Sequence, residues 1–334
     1  MTKIFNLLLL VILMLSCLSE PTTPMGAHPS ITAAPTVIVS TPFQTFDTGR
    51  IAFLRSSFVY LAKADGTSPA LIHAFEIPVP MFSLSPDGKK IAYFHDNYLY
   101  VKDIPSGVVN TWNAEKMGSI GGKLLWSPNG EKIAFACSTP EMPFNSICLV
   151  ERNGKVEYVM TKENIEGEQI RPDYFVELQD WSRDGQTLVL LYYSPTGKGE
   201  KQDFRVYFYD LVSASLQLVF DSTKQRTVFQ VRDVRVSPDK DKLLISGLNN
   251  NFLYRVFVVK IEDNEIIPLE LDGWPNASYT DPVWSDEACC YYVHVQQANS
   301  QRTLLVDLSG KVLLSLEIEG IVFQFISGKN THRP

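Results

Sequence analysis

The residues of this chain that could do chemistry are few and scattered. Its five histidines, His28, His73, His95, His294 and His332, share no ligand spacing. They therefore do not describe a metal centre, which needs ligands at short, regular intervals. Asp233 and Asp281 are the one carboxylate pair with a common context. Each lies four residues before a serine that opens a turn, Ser237 or Ser285, and Lys123 holds the same place before Ser127. Carboxylates facing each other at a channel entrance would take Ca²⁺ or another hard cation through oxygen; the plainer reading has them capping loops. Cys137 and Cys148 flank a short connection. A hairpin there would set their sulfurs opposite each other, so a disulfide and a pair of free thiols both stay open. Cys289 and Cys290 are adjacent in a predicted strand, where side chains point to opposite faces, and read as two buried thiols.

Conventional catalytic signatures are missing. The chain contains no G-x-S-x-G, H-E-x-x-H, paired C-x-x-C, Walker loop or G-x-G-x-x-G, the patterns that would mark a serine nucleophile, a zinc site or a phosphate cradle. Its 334 residues are 45% hydrophobic and 20% charged, with 20 prolines and 19 glycines. Disorder, collagen and coiled coil each need a bias that this composition lacks. A net charge of -7 gives no basic footprint for a phosphate backbone, so nucleic acid is not an expected partner.

The elements that must position these residues begin with an address. Residues 1–17 read MTKIFNLLLLVILMLSC: one cation at Lys3, a short apolar run, then Ser16 before Cys17. This is a secretory pattern, with an apolar run too short to span a bilayer. It resembles a bacterial lipoprotein signal, and that resemblance implies that residues 1–16 are removed and that Cys17 becomes the acylated N-terminus. Residues 17–45 are rich in Pro, Thr, Ser and Ala, which cannot build a core and reads as an extended spacer.

Residues 46–334 repeat. FSLSPDGKKIAYF (82–94), KLLWSPNGEKIAFA (123–136), LQDWSRDGQTLVLL (178–191), VRVSPDKDKLLIS (234–246) and PVWSDEACCYYVH (282–294) align without gaps on Ser85, Ser127, Ser182, Ser237 and Ser285. An apolar strand opens six residues after each serine. A third strand and a further Gly-containing turn follow in most copies, giving four antiparallel strands per unit, a propeller blade. The strands are apolar almost throughout, as expected where each blade is covered on both sides by its neighbours. Two half-units complete a sixth blade: IAF (51–53) lacks a first strand, and GIVFQFIS (320–327) lacks a second. The sequence therefore predicts an all-β, six-bladed propeller closed by residues 321–326 pairing with 51–54. Lys240 and Ala288 stand where earlier copies have the turn glycine, which predicts a different turn in those two blades.

The W-S-P-D-G-x-x-I-A-F pattern resembles that of the TolB-type six-bladed β-propeller, built from PD40 or WD40-like repeats. Ser127-Pro128-Asn129-Gly130 after Trp126 matches it most fully, and Trp181 and Trp284 keep the aromatic before serine. Those tryptophans read as packing between blades, and the serines and aspartates as ties within turns. Prolyl oligopeptidases share the propeller, but here seven residues follow the closing segment 320–327, which is expected to leave no room for a hydrolase domain in this sequence.

Three connections are long, 161–176, 194–203 and 269–281, and would emerge on the face opposite the Ser-Pro-Asp-Gly turns. Loops on a rigid scaffold often carry function, and Trp, Tyr and Arg dominate binding hot spots. Arg171, Asp173, Tyr174, Trp274 and Tyr279 are therefore the candidate binding surface. Together these features predict a monomeric, exported and lipid-anchored binding scaffold for another extracytoplasmic protein or a cell-envelope ligand, without a cofactor. The competing reading is a metal-dependent lyase or hydrolase of extracellular polymers with its site in the channel.

Overall fold

The computed structural model describes residues 49–327 apart from 77–78, 80, 115–120, 139–145, 161–174, 194–202, 225–229, 250–252, 272–273, 275 and 299. The folded unit contains six four-stranded antiparallel sheets arranged as the blades of a propeller. β1 (Arg50–Arg55), β2 (Phe58–Lys63) and β3 (Ala70–Ala74) are the outer strands of blade 1. Blade 2 holds β4 (Phe82–Leu84), β5 (Lys90–His95), β6 (Tyr98–Asp103) and β7 (Val109–Asn113). Blade 3 holds β8 (Gly121–Trp126), β9 (Lys132–Cys137), β10 (Ser146–Glu151) and β11 (Val156–Met160). Blade 4 holds β12 (Phe175–Trp181), β13 (Thr187–Tyr193), β14 (Phe204–Asp210) and β15 (Ser215–Asp221). Blade 5 holds β16 (Gln230–Val236), β17 (Lys242–Leu248), β18 (Tyr254–Lys260) and β19 (Ile266–Pro268). Blade 6 holds β20 (Ser278–Trp284), β21 (Cys290–Gln297), β22 (Ser300–Asp307) and β23 (Val312–Leu316). β24 (Ile321–Ile326) then returns to blade 1 as its inner strand, pairing Ile51 with Phe325 and Leu54 with Ile321.

The near-continuous apolar strands follow from this geometry. Side chains of a strand alternate between faces, and each blade face meets a different neighbour. In β13, Leu188, Leu190 and Tyr192 are buried against blade 3, while Val189 and Leu191 are buried against blade 5. β1 behaves likewise, with Ile51 and Phe53 toward blade 6 and Ala52 toward blade 2. Six apolar clusters result, one at each interface between successive blades. Trp126, Trp181 and Trp284 are buried in three of them. The Trp126 and Trp284 indoles each donate to a carbonyl of the preceding blade, Ser83 at 3.2 Å and Arg235 at 3.3 Å.

The repeated serine is an internal tie. The Ser85 hydroxyl donates to Asp87 at 2.6 Å and accepts from the Lys90 amide at 2.8 Å. Ser127 and Ser182 do the same with Asn129 and Asp184, and Ser237 with Asp239.

The expectation of different turns at Lys240 and Ala288 is corrected. Gly88, Gly130 and Gly185 have φ of 71°, 70° and 75°, and Lys240 and Ala288 follow them at 63° and 52°. At Lys240 the Ser237 hydroxyl, the Lys242 amide and the paired strands hold the turn; at Ala288 the bond from the Ser285 amide to the Cys290 carbonyl and the paired strands do so, and the two L-residues bear the left-handed backbone. That conformation costs a non-glycine residue about 1–2 kcal/mol, partly offset by glycine's greater freedom in the unfolded chain. Ala288→Gly is therefore expected to stabilise the protein by about 1 kcal/mol, read as a higher midpoint in urea with an unchanged slope. A lower midpoint would show that the methyl group contributes more than the backbone strain costs.

Candidate functional site

Cys137, the last residue of β9, and Cys148, within its partner β10, are joined as a disulfide, with Cα atoms 5.9 Å apart. Among the described residues the other two cysteines are free: Cys290 is buried and Cys289 is exposed. The expectation of two buried thiols fails because β21 begins only at Cys290, leaving Cys289 in the turn.

The candidate binding surface on the loops divides. Arg171, Asp173 and Tyr174 lie outside the described residues. Tyr279 does not offer an exposed aromatic, since it is 2% exposed in the cluster between blades 5 and 6. Its hydroxyl donates to the Trp274 carbonyl at 2.8 Å, and the Arg255 guanidinium lies 5.0 Å from its ring centre. Trp274 is partly buried against the same cluster. The alternation of β20 turns Tyr279 inward, a register that loop length alone does not reveal. Cys17 also lies outside the described residues.

A cavity of about 930 Å³ occupies the propeller axis and reaches the opposite face, that of the Ser-Pro-Asp-Gly turns. Pro86, Pro128 and Pro238 line its rim; Lys123, Asp180, Arg235 and Asp281 line its wall. Inner strands β8, β12, β16 and β20 each carry a register shift beside these charges. Such bulges re-aim side chains that a regular strand would send into the neighbouring blade.

The charges form a mixed network in which opposite signs meet. The Lys123 ammonium contacts the Asp233 carboxylate and donates to the Gln179 carbonyl at 3.0 Å, tying blades 3, 4 and 5 together. Arg235 Nε bonds the other Asp233 oxygen at 3.1 Å, and its guanidinium lies 3.9 Å from Asp180. Asp180 accepts from the Val236 amide at 2.9 Å. Burial pulls the Lys123 ammonium down and pushes the Asp180 carboxyl up; Arg235 reinforces the first shift and opposes the second. At the rim, Arg183 and Asp286, which replace the turn proline in blades 4 and 6, pair at 2.6 Å across blade 5. The cavity is thus spanned at two levels by ion pairs between non-adjacent blades.

Both carboxylates of the expected metal pair border this network. Asp233 is engaged by Lys123 and Arg235, whereas Asp281 meets Arg232 at 3.4 Å through Oδ1 and its buried Oδ2 lacks a hydrogen-bond partner. Among the described residues, no group of three or more His, Cys, Asp or Glu side chains stands together as a metal cage. The repeat alignment held part of the signal for the network. Asp180 and Arg235 both lie two residues before their serines in neighbouring copies, a charge pair at matching positions of the two strands.

His294 lies on β21, 6% exposed, with Nδ1 lacking a hydrogen-bond partner. Burial lowers its pKa from the ordinary 6.5, with Asp281 opposing and Arg232 adding to the shift. A histidine held neutral in the fold but free to charge when unfolded stabilises the protein above pH 6.5 and loses that contribution as pH falls through its lowered folded value. His73 shifts in the same direction. His294→Gln is expected to flatten part of the stability loss measured by urea titration below pH 6.5; an unchanged slope would show that His294 charges equally well in the fold.

No family model and no curated protein sequence matches the chain. Solved structures do. TolB from Acinetobacter baumannii superposes with a TM-score of 0.59 at 18% identity, over 84% of this chain and 67% of that one. A putative TolB from Agrobacterium tumefaciens gives 0.55 at 14% identity, over 83% and 92%. An oligogalacturonate lyase in complex with manganese gives 0.53 at 11% identity, over 80% and 74%. At these identities the likeness speaks to fold, and in fold the chain is a TolB-like six-bladed β-propeller.

Proposed function

We propose that the protein is an exported, lipid-anchored binding scaffold that takes a protein segment or cell-envelope ligand at the cavity mouth on its turn face. The observation that carries this reading is the cavity itself: about 930 Å³, with prolines and the Arg183–Asp286 pair at its rim and with the wall cations Lys123 and Arg235 each paired with carboxylates. Clefts of a few hundred Å³ or more with a few placed polar groups are the usual form of a ligand site. A bound chain can exchange hydrogen bonds with Arg183, Asp286 and Arg235 without leaving an uncompensated charge. The Cys137–Cys148 disulfide supports maturation in an oxidising compartment, and the signal pattern ending at Cys17 supports the anchor. The manganese-bound lyase among the structural neighbours keeps a channel enzyme as the competing reading. Against it, Asp233 is committed to Lys123 and Arg235.

Capture from solubilised membranes tests the proposal. Pro128→Lys places a long charged chain at the rim without touching a strand and is expected to reduce captured ligand about tenfold or more, the loss of a hot spot. Asn97→Lys, on the opposite face between β5 and β6, is expected to leave capture unchanged. The reverse pattern would move the site to the loop face.

A further inference from the structure

The β20–β21 hairpin departs from the other turns. Where Ser85, Ser127, Ser182 and Ser237 donate to an acid or amide two residues on, the Ser285 hydroxyl faces the Cys290 sulfur at 3.2 Å. Cys289 and Cys290 occupy the places of Lys89 and Lys90 in blade 2. Their sulfurs lie 2.7 Å apart, closer than non-bonded sulfurs ordinarily rest. Adjacent residues inside a strand could not meet this way. Here Cys289 precedes the strand and follows Ala288, whose φ is 52°, and the bend brings the two sulfurs to one side.

We propose that Cys289 and Cys290 are a thiol modification site that closes to a vicinal disulfide by exchange with a disulfide oxidant. The Cys289 thiolate attacks the oxidant's S–S bond and forms a mixed disulfide as one oxidant thiolate leaves. Cys290 then attacks Cys289 Sγ and expels the second. The two cysteines lose two electrons and two protons, and the oxidant disulfide is reduced to two thiols. The order follows from exposure, since Cys289 is exposed and Cys290 buried. Burial also pushes the Cys290 thiol up to about 12, which disfavours it as the first nucleophile. Closure acts on the cavity rim, because the same turn carries Asp286, which holds Arg183 and accepts from the Ser327 hydroxyl at 2.9 Å.

The purified full chain, equilibrated with oxidised and reduced glutathione, decides the matter independently of any binding role. After acid quenching and mass mapping, the peptide bearing Cys289 and Cys290 is expected to be two hydrogens lighter. The internal bond should exceed the glutathione adduct by about tenfold or more, because the second thiol acts at a high effective concentration. Cys290→Ser is expected to trap the adduct on Cys289. An adduct that accumulates in the wild-type chain, or two thiols that stay reduced while glutathione is mostly oxidised, would overturn the proposal.

Discussion

A chain lacking residues 320–334 is expected to lose cooperative unfolding altogether. The deletion removes β24, the inner strand of blade 1 and the only partner of β1 on that side. Val322 and Ile326 are buried to within 2%, and Phe323 and Phe325 pack against the clusters joining blade 1 to blades 2 and 6. At about 1.5–3 kcal/mol for each fully buried side chain, their loss rivals the whole net stability of a domain, about 5–15 kcal/mol. Hydrogen bonds go too, among them Gln324 to the Leu84 carbonyl at 3.1 Å, which fastens blade 1 to blade 2. The bared edge of β1 would also invite pairing between molecules. Calorimetry should show no single transition, and Ile326→Ala a milder loss of about 2–5 kcal/mol. A truncated chain that melts like the full one would mean that the ring does not depend on this latch.

The second large effect belongs to the cavity wall. Lys123→Ala is expected to cost about 3 kcal/mol, the consequence of leaving a largely buried carboxylate without one of its cations. Asp233 retains 8% side-chain exposure and Lys123 25%, so solvent makes good only part of that loss. Arg235 still reaches Asp233 at 3.1 Å, which keeps the cost at the low end of the range for broken buried pairs. The double substitution Lys123→Met with Asp233→Asn should recover most of the stability, because no charge is then stranded. A double-mutant cycle in urea is expected to give a coupling of about 1 kcal/mol or more. Additive losses would mean that Lys123 and Asp233 do not meet across blade 4.

The fold was largely legible because its information is local and repeated. Ser85, Ser127, Ser182 and Ser237 each fix the same turn through short-range hydrogen bonds, and a gapless alignment of them with Ser285, completed by the half-units at 51–53 and 320–327, yields blade number and closure. The turn at Ala288 was misread for a related reason. Glycine reports a left-handed backbone, but the pairing of β20 with β21 and the bond from the Ser285 amide to the Cys290 carbonyl impose that backbone even on alanine. The cavity network was only partly legible. Asp180 and Arg235 stand at matching offsets, whereas the meeting of Lys123 with Asp233 depends on ring closure and on bulges that a period of two residues does not display. Tyr279 shows the same limit in reverse, since a residue placed in a long connection by spacing belongs to β20 and to the core.

Site-specific photocrosslinking on intact membranes tests the central claim most directly, that the turn-face cavity is where this scaffold binds. A photoreactive residue at Asn129, beside Pro128 on the rim, would be compared with one at Asn97 on the opposite face. The account expects a discrete adduct from position 129, abolished by Pro86→Lys beside it on the rim, and none from position 97. An adduct from position 97 alone would contradict it.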